Sequence, residues 1–141
     1  MTFDSAAAPI YEFLGLDVEI PEPGKAVGTM TVTRQHYSGV ERMHGGLVFV
    51  VFDTVMGHAI HSVIDPAIDI ATIEISQRFI RMVGVGPLRV EADVIHPGRK
   101  VVQVQGQAWE SRGKLAATAS GAFIVLGKKP VRPQNQRTGN G

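Results

Sequence analysis

The longest apolar stretch of the chain covers residues 44–64, HGGLVFVVFDTVMGHAIHSVI. About 20 residues are too many for an ordinary strand, so the stretch predicts one long central helix over 44–64. Its apolar residues do not form a single stripe, which predicts that the helix is buried on all sides.

Segments in which apolar and polar residues alternate predict the strands of an antiparallel sheet. One such segment, GKAVGTMTVTRQ, precedes the central helix. After the helix we expect a strand from about Thr72 to Met82, followed by a meander of three strands, PLRVEADVIH, VVQVQGQAWE and LAATASGAFIVL.

The order of these elements predicts an α+β fold, with a curved antiparallel sheet wrapped around the central helix. In the strand VVQVQGQAWE, the face that we expect to hold the helix carries Val102, Val104, Gly106 and Ala108. A sheet with open edges and little cover commonly pairs with a copy of itself. We therefore expect a homodimer or a dimer of dimers.

The two ends of the chain have patterns of their own. Residues 5–14 predict a short helix, with Ser5 as its N-cap and Gly15 as its C-terminal stop. Residues 128–141 are polar, rich in Pro and Gly and without periodicity, which predicts a disordered tail. A chain of 141 residues that is 44% hydrophobic suits one core better than two, so we expect a single domain over residues 1–127.

Composition and charge exclude several classes of function. The chain has no cysteine, which excludes disulfides, thiolate metal sites and cysteine nucleophiles and favours a cytoplasmic location. Its first residues lack the basic region of a secretory signal, and Asp53, His58 and His61 interrupt the apolar segment before it could span a membrane. A net charge of +1 gives no general attraction to nucleic acid or to a membrane surface.

Asp53 is the only carboxylate inside the long apolar segment. A buried carboxylate costs several kcal/mol unless it is neutralised or hydrogen-bonded, so its presence there indicates a functional role. The structural alternative is a carboxylate that accepts hydrogen bonds from neighbouring strand N–H groups or forms a salt bridge to an arginine such as Arg78 or Arg81. His58, His61 and Asp65 come together in sequence, but no further ligands accompany them and we predict no metal site.

Gly45 and Gly46 begin the predicted helix, where backbone N–H groups have no intrahelical acceptor. These groups can donate to a carbonyl oxygen or an anion, although two glycines also suit a tight entry into a helix. His44 is interpreted either as a structural residue, a cap of the helix or a buried ring with its hydrogen bonds satisfied, or as a catalytic group. The residues alone leave both open.

The distance between Asp53 and Gly45 bears on the oligomeric state of the protein. Asp53 lies eight residues after Gly45. That spacing is about 12 Å along a helix, so the two residues cannot contact the same atom. A reaction that uses both requires two chains, with antiparallel central helices related by a two-fold axis.

The segment MHGGLVFVVFDTVMGHA resembles the hotdog-fold acyl-CoA thioesterases of the phenylacetate-degradation type. Their signature is His-Gly-Gly, a hydrophobic helix and an acidic residue eight positions after the first glycine, and the resemblance extends over residues 25 to 126. It implies hydrolysis of an acyl-CoA thioester, with Asp53 as general base or nucleophile and the Gly45 N–H polarising the carbonyl. It also implies that Thr72 helps to place the water.

The resemblance implies further details of the site. Coenzyme A belongs to the substrate, and no cofactor is expected. A tunnel between subunits would hold the pantetheine, with Gly46 in contact with the substrate and basic residues, Arg81, Arg99 and Lys100, near the mouth of the tunnel.

This chain departs from the family at one position. Six residues before His44 the family often has asparagine, and this chain has Ser38, whose single hydroxyl would assist the carbonyl or the water differently. Two other functions stay open. One is a hotdog hydratase or dehydratase acting on a CoA or carrier-protein thioester, and the other is a non-catalytic acyl-CoA binding module, which Ser38 favours.

Overall fold

The computed structural model describes residues 9–128. Two helices and six strands follow one another as α1 (Pro9–Leu14), β1 (Asp17–Glu22), β2 (Lys25–Val32), α2 (Gly45–His61), β3 (Ile68–Phe79), β4 (Gly86–Pro97), β5 (Val101–Trp109) and β6 (Leu115–Lys128), with a short 3-10 turn at Arg34–His36. The predicted cap Ser5 and residues 129–141 of the predicted tail lie outside the described residues. Lys128, predicted as the start of the tail, ends β6 instead.

The strands form one six-stranded sheet in the order β1-β2-β4-β5-β6-β3. Every neighbouring pair is antiparallel, and β4, β5 and β6 form the predicted meander. The edges of the sheet are therefore β1 and β3. The long helix α2 packs on one face of this sheet.

The face of β5 that was predicted to hold the helix does so. Val102, Val104 and Ala108 are buried. Gly106 allows a close approach, because a Cβ at this position would lie 2.8 Å from Cδ1 of Phe52. The alternation of β5 therefore predicted correctly which face of the sheet meets α2.

One strand was missed, and the predicted bounds of two other elements were wrong. The strand β1 was not predicted, because Asp17–Glu22 contains a proline and three charged residues, which an edge strand tolerates. The strand β3 begins at Ile68, four residues earlier than predicted, and ends at Phe79. The helix α2 ends at His61, because Ser62 is its C-cap and residues 62–64 form a turn.

One side of α2 is not covered by this chain, contrary to the prediction of a helix buried on all sides. The sheet covers only the side that carries Phe52 and its buried neighbours. On the other side, Phe49 is 37% exposed, and Val50, Asp53 and Gly57 are half-buried. A single sheet can cover only one side of a helix, which explains the difference.

The uncovered side of α2 lies beside an edge strand with exposed apolar side chains. Ile73 and Phe79 of β3 are 53% and 49% exposed, and Ile80 and Met82 after the strand are exposed as well. Within residues 9–128, no helix is long and apolar enough to cross a membrane. The cytoplasmic location stays a prediction.

Candidate active site

His44 caps the start of α2. Its Nδ1 accepts a 2.9 Å hydrogen bond from the N–H of Gly46, and its carbonyl accepts bonds from Leu47 at 3.0 Å and Val48 at 3.3 Å. The interpretation of His44 as a cap is thereby confirmed. Three of the first four N–H groups of the helix now have acceptors, and the N–H of Gly45 has none among residues 9–128.

The position of Gly45 is fixed from two directions. The side chain of Gln77 on β3 donates a 3.1 Å hydrogen bond from Nε2 to the Gly45 carbonyl. The carbonyl of His36 accepts a 2.8 Å bond from the N–H of His44. Gln77 was not predicted, because a glutamine in an alternating strand gives no signal that it contacts a distant helix. It holds the start of α2 against β3.

A surface pocket of about 520 Å³ opens at the start of α2. It brings together four predicted site residues, Ser38, His44, Gly45 and Arg81, beside apolar residues such as Phe79. The Ser38 hydroxyl donates to the Val40 carbonyl at 3.1 Å, so its proton serves its own turn.

Arg81 is fixed at the same pocket by a 2.7 Å bond from its guanidinium to the Leu115 carbonyl. The free N–H of Gly45 therefore lies beside a partly apolar cavity that two arginines, Arg42 and Arg81, also line. Such a cavity suits a ligand that has both a carbonyl oxygen and an anionic part.

Asp53 lies in the middle of α2, on its uncovered side. The Thr72 hydroxyl of β3 donates a 2.5 Å hydrogen bond to Oδ1 of Asp53. In the part of the chain that the structure describes, Asp53 forms no ion pair with Arg78, with Arg81 or with any other cationic side chain. The carboxylate therefore has one fixed oxygen and one that is available to a further donor.

A second polar contact joins α1 to α2 near Asp53. The Tyr11 hydroxyl lies 3.1 Å from Nε2 of the buried His58. Burial and the nearby His61 lower the pKa of His58 to about 4, so its ring is neutral at physiological pH. Burial raises the pKa of Tyr11, and the charge of Asp53 adds to this effect. The hydroxyl of Tyr11 is thus close enough to be affected by the candidate base.

The structure separates the predicted site residues into two groups, one around Gly45 and one around Asp53, and places two further residues at the end of the sheet away from Gly45. Gly45 and Asp53 are about 12 Å apart along the axis of α2. Arg99 and Lys100 lie in the turn between β4 and β5. This turn is at the end of the sheet where Val101 pairs with Ile124, opposite to the end where Phe79 pairs with Ala117.

The roles of Arg99, Lys100 and Gly46 at a substrate stay predictions. The N–H of Gly46 already donates to His44, which leaves Gly45 as the open donor of the pair. Among residues 9–128, no three side chains of His, Asp or Glu are grouped as a metal site requires. That the reaction needs no cofactor also stays a prediction.

A family model described as the thioesterase superfamily matches residues 41–117, which is more than half of the chain. The chain belongs to the thioesterase superfamily. The matched segment of this thioesterase contains His44, Gly45, Asp53 and Thr72, whereas Ser38 precedes it.

Known relatives of this thioesterase include one that is similar over most of its length and one that is similar over about a third of it. An inferred esterase of Saccharolobus solfataricus is 30% identical over 123 residues, 87% of each chain. The acyl-coenzyme A thioesterase PaaI of Escherichia coli is 43% identical over 49 residues, 35% of each chain.

Solved structures show the same fold. The E. coli PaaI protein from the phenylacetic acid degradation operon has a TM-score of 0.80 and 26% identity, with 88% of each chain covered. A Streptococcus mutans protein bound to acetyl CoA has a TM-score of 0.74 and 22% identity, with 82% of this chain and 91% of that chain covered. The second likeness concerns the fold alone. The predicted hotdog fold and PaaI-type resemblance are confirmed, as is thioester hydrolysis at the level of the superfamily.

Proposed function

We propose that this thioesterase hydrolyses acyl-CoA in a site shared by two subunits. Asp53 of one subunit activates the water, and the partner subunit's Gly45 donates its N–H to the thioester carbonyl. The main support is the position of the two groups. Each has an open hydrogen-bonding atom, yet about 12 Å of helix separates them within one chain.

The substrate class is supported by the relatives. The E. coli relative PaaI is an acyl-coenzyme A thioesterase, and the S. mutans protein of the same fold binds acetyl CoA. The pocket at Gly45 combines apolar walls with Arg81, which suits an acyl thioester joined to a phosphate-bearing carrier.

The chemistry requires a polarised carbonyl and a nucleophilic oxygen. Asp53 removes a proton from water, and the water oxygen attacks the thioester carbon. The partner's Gly45 stabilises the oxyanion that forms. When this intermediate collapses, the carbon–sulfur bond breaks, and the CoA sulfur leaves as a thiolate that takes up the proton. The products are a carboxylic acid and free CoA.

Three residues do not contact the substrate in this proposal but position the groups that do. Thr72 orients the carboxylate of Asp53 through its 2.5 Å hydrogen bond. His44 and Gln77 hold the start of α2, so that the Gly45 N–H keeps its direction. We assign Ser38 to its turn, because its hydroxyl proton is donated to the Val40 carbonyl.

The homodimer is supported by surfaces that one chain leaves uncovered. The edge strand β3 exposes Ile73 and Phe79, and α2 exposes Phe49 on the same side as Asp53. Antiparallel α2 helices across a two-fold axis would cover these residues and bring each Asp53 to the partner subunit's Gly45. A dimer of dimers would contain two such pairs of sites.

Complementation between two inactive variants tests the shared site. Asp53→Asn removes the base, and Gly45→Pro removes one N–H at a helical position that tolerates proline. The backbone of His44, at φ −59 and ψ 127, is already suited to precede a proline. Each variant alone should release almost no free thiol from acyl-CoA.

After the two variants are unfolded and refolded together in equal amounts, each mixed dimer should contain one intact site. Random pairing should then restore about a quarter of the wild-type activity. A site contained within one chain would give no restoration, and this result would contradict the proposal. Gly45→Ala, which keeps the N–H, is the matched control for proline. Turnover that changes unsaturation without releasing thiol would favour a hydratase, and binding with neither would favour an acyl-CoA binding module.

A further inference from the structure

Gly57 lies on the uncovered side of α2, one turn beyond Asp53. Apart from its two chain neighbours and the backbone of its own helix, a Cβ at Gly57 would meet no atom within 4 Å. This differs from Gly106, where the ring of Phe52 leaves no space for a side chain. A glycine inside a helix costs about 1 kcal/mol relative to alanine, so packing within the chain does not explain Gly57.

The space beside Asp53 differs in the two directions along α2. About one turn before Asp53, Phe49 and Val50 both occupy the uncovered side with apolar side chains. One turn after Asp53, Gly57 leaves the surface open. The free volume next to the carboxylate is therefore on its C-terminal side.

A hydrogen-bonding contact lies at each edge of this open surface. Thr72 of β3 lies on one side, since its hydroxyl bonds to Asp53. Tyr11 of α1 lies on the other, since its hydroxyl is 3.1 Å from His58, the residue after Gly57. Gly57 thus lies on the helix surface between these two contacts, one turn from Asp53.

We infer that Gly57 sets the size of the acyl group that the enzyme accepts, because the acyl carbons lie against it when the thioester carbonyl is at Asp53. This inference rests on the proposed function. The backbone groups of Gly57 are bonded within α2, so its surface offers only apolar contact. Acyl carbons suit such a surface, whereas the amides of the pantetheine arm would lose their hydrogen bonds there.

A series of side chains at position 57 tests the inference. Gly57→Ala, Gly57→Val and Gly57→Leu are compared with the wild type on acetyl-CoA, octanoyl-CoA and phenylacetyl-CoA by thiol release. We expect kcat/KM for the two larger substrates to fall at least about tenfold relative to acetyl-CoA as the side chain grows. Gly57→Ala should also raise the melting temperature, which shows that the fold tolerates the change.

The possible results separate the two proposals. If the wild type releases no thiol from any of the three substrates, the proposed function fails, and the inference fails with it. If the wild type is active and the series leaves the ratio between substrates unchanged, only the role of Gly57 is wrong. If kcat/KM fell equally for all three substrates and the Gly57→Leu dimer dissociated in sedimentation experiments, the space above Gly57 would belong to the helix of the partner subunit. That result would overturn the inference.

Discussion

The Thr72 hydroxyl donates a 2.5 Å hydrogen bond to Oδ1 of Asp53, which joins the middle of α2 to the edge strand β3. A hydroxyl has one proton, so this bond fixes one carboxylate oxygen and leaves the other for water. The edge strand also exposes Ile73 and Phe79. The direction of the proposed base therefore depends on the part of the sheet that we expect to meet the partner subunit.

Replacement of Thr72 by valine should lower kcat and leave the fold intact. Thr72→Val keeps the shape of the side chain and removes the donor, so the carboxylate of Asp53 is less well directed. We expect kcat about 10-fold to 100-fold lower with little change in KM. Thr72→Ser keeps the hydroxyl and should stay within about threefold of the wild type. Equal losses in both variants would show that Thr72 matters for packing rather than for its hydrogen bond.

Gly45→Pro should lower kcat far more than Gly45→Ala. Loss of one oxyanion donor commonly costs about 100-fold to 1,000-fold in kcat, and proline removes only this N–H from the helix. A Cβ at Gly45 would lie 3.2 Å from Cζ of Phe79, a half-exposed ring that can move aside. Both variants meet this contact, so their comparison isolates the N–H. Similar kcat values for the two would rule out the Gly45 N–H as the donor.

His44 should contribute to stability as a helix cap. His44→Ala removes the acceptor for the Gly46 N–H and should lower the free energy of unfolding by about 1 kcal/mol. His44→Asn places another good cap there and should restore most of that loss, together with most of kcat. Chemical denaturation and thiol release measure the two effects. A stable His44→Asn variant without activity would instead assign His44 a direct part in the reaction.

The parts of the fold that follow from periodicity could be predicted from the sequence. The long apolar segment predicted α2, and the alternation in β5 predicted that Val102 and Val104 face it. The strand β1 was not predicted, although Val18 and Ile20 alternate with acidic residues, because a segment of six residues with a proline gives only a weak strand signal. An apolar residue such as Phe49 favours a buried position in the sequence pattern, yet it is exposed in this chain, because a hydrophobic residue does not specify which surface covers it.

The candidate site was predictable only in part. Sequence spacing placed Gly45 and Asp53 on one helix, and the resemblance to the phenylacetate-type thioesterases supplied Thr72. The contacts of Tyr11 with His58, 47 residues apart, and of Gln77 with Gly45, 32 residues apart, depend on how elements pack. No local pattern records such contacts, because the same side chains would be ordinary on an exposed surface.

His58 should make the stability of the enzyme dependent on pH. Burial and the nearby His61 lower the pKa of His58 to about 4 in the folded protein. In the unfolded chain a histidine has a pKa of about 6.5. Between these values the unfolded chain binds more protons, so the free energy of unfolding rises with pH. The contribution of His58 is fully present above about pH 6.5 and is lost as the pH falls toward 4, by at most about 3 kcal/mol.

Denaturation at several pH values and one protein concentration measures this effect. His58→Gln keeps a polar group near the Tyr11 hydroxyl and does not titrate, so its unfolding free energy should vary less between pH 6.5 and 4. His96→Gln is the matched control, because it removes an exposed histidine and should keep the wild-type slope. If the unfolding free energy of the His58→Gln variant kept the full wild-type dependence on pH, a group other than His58 would have to cause that dependence.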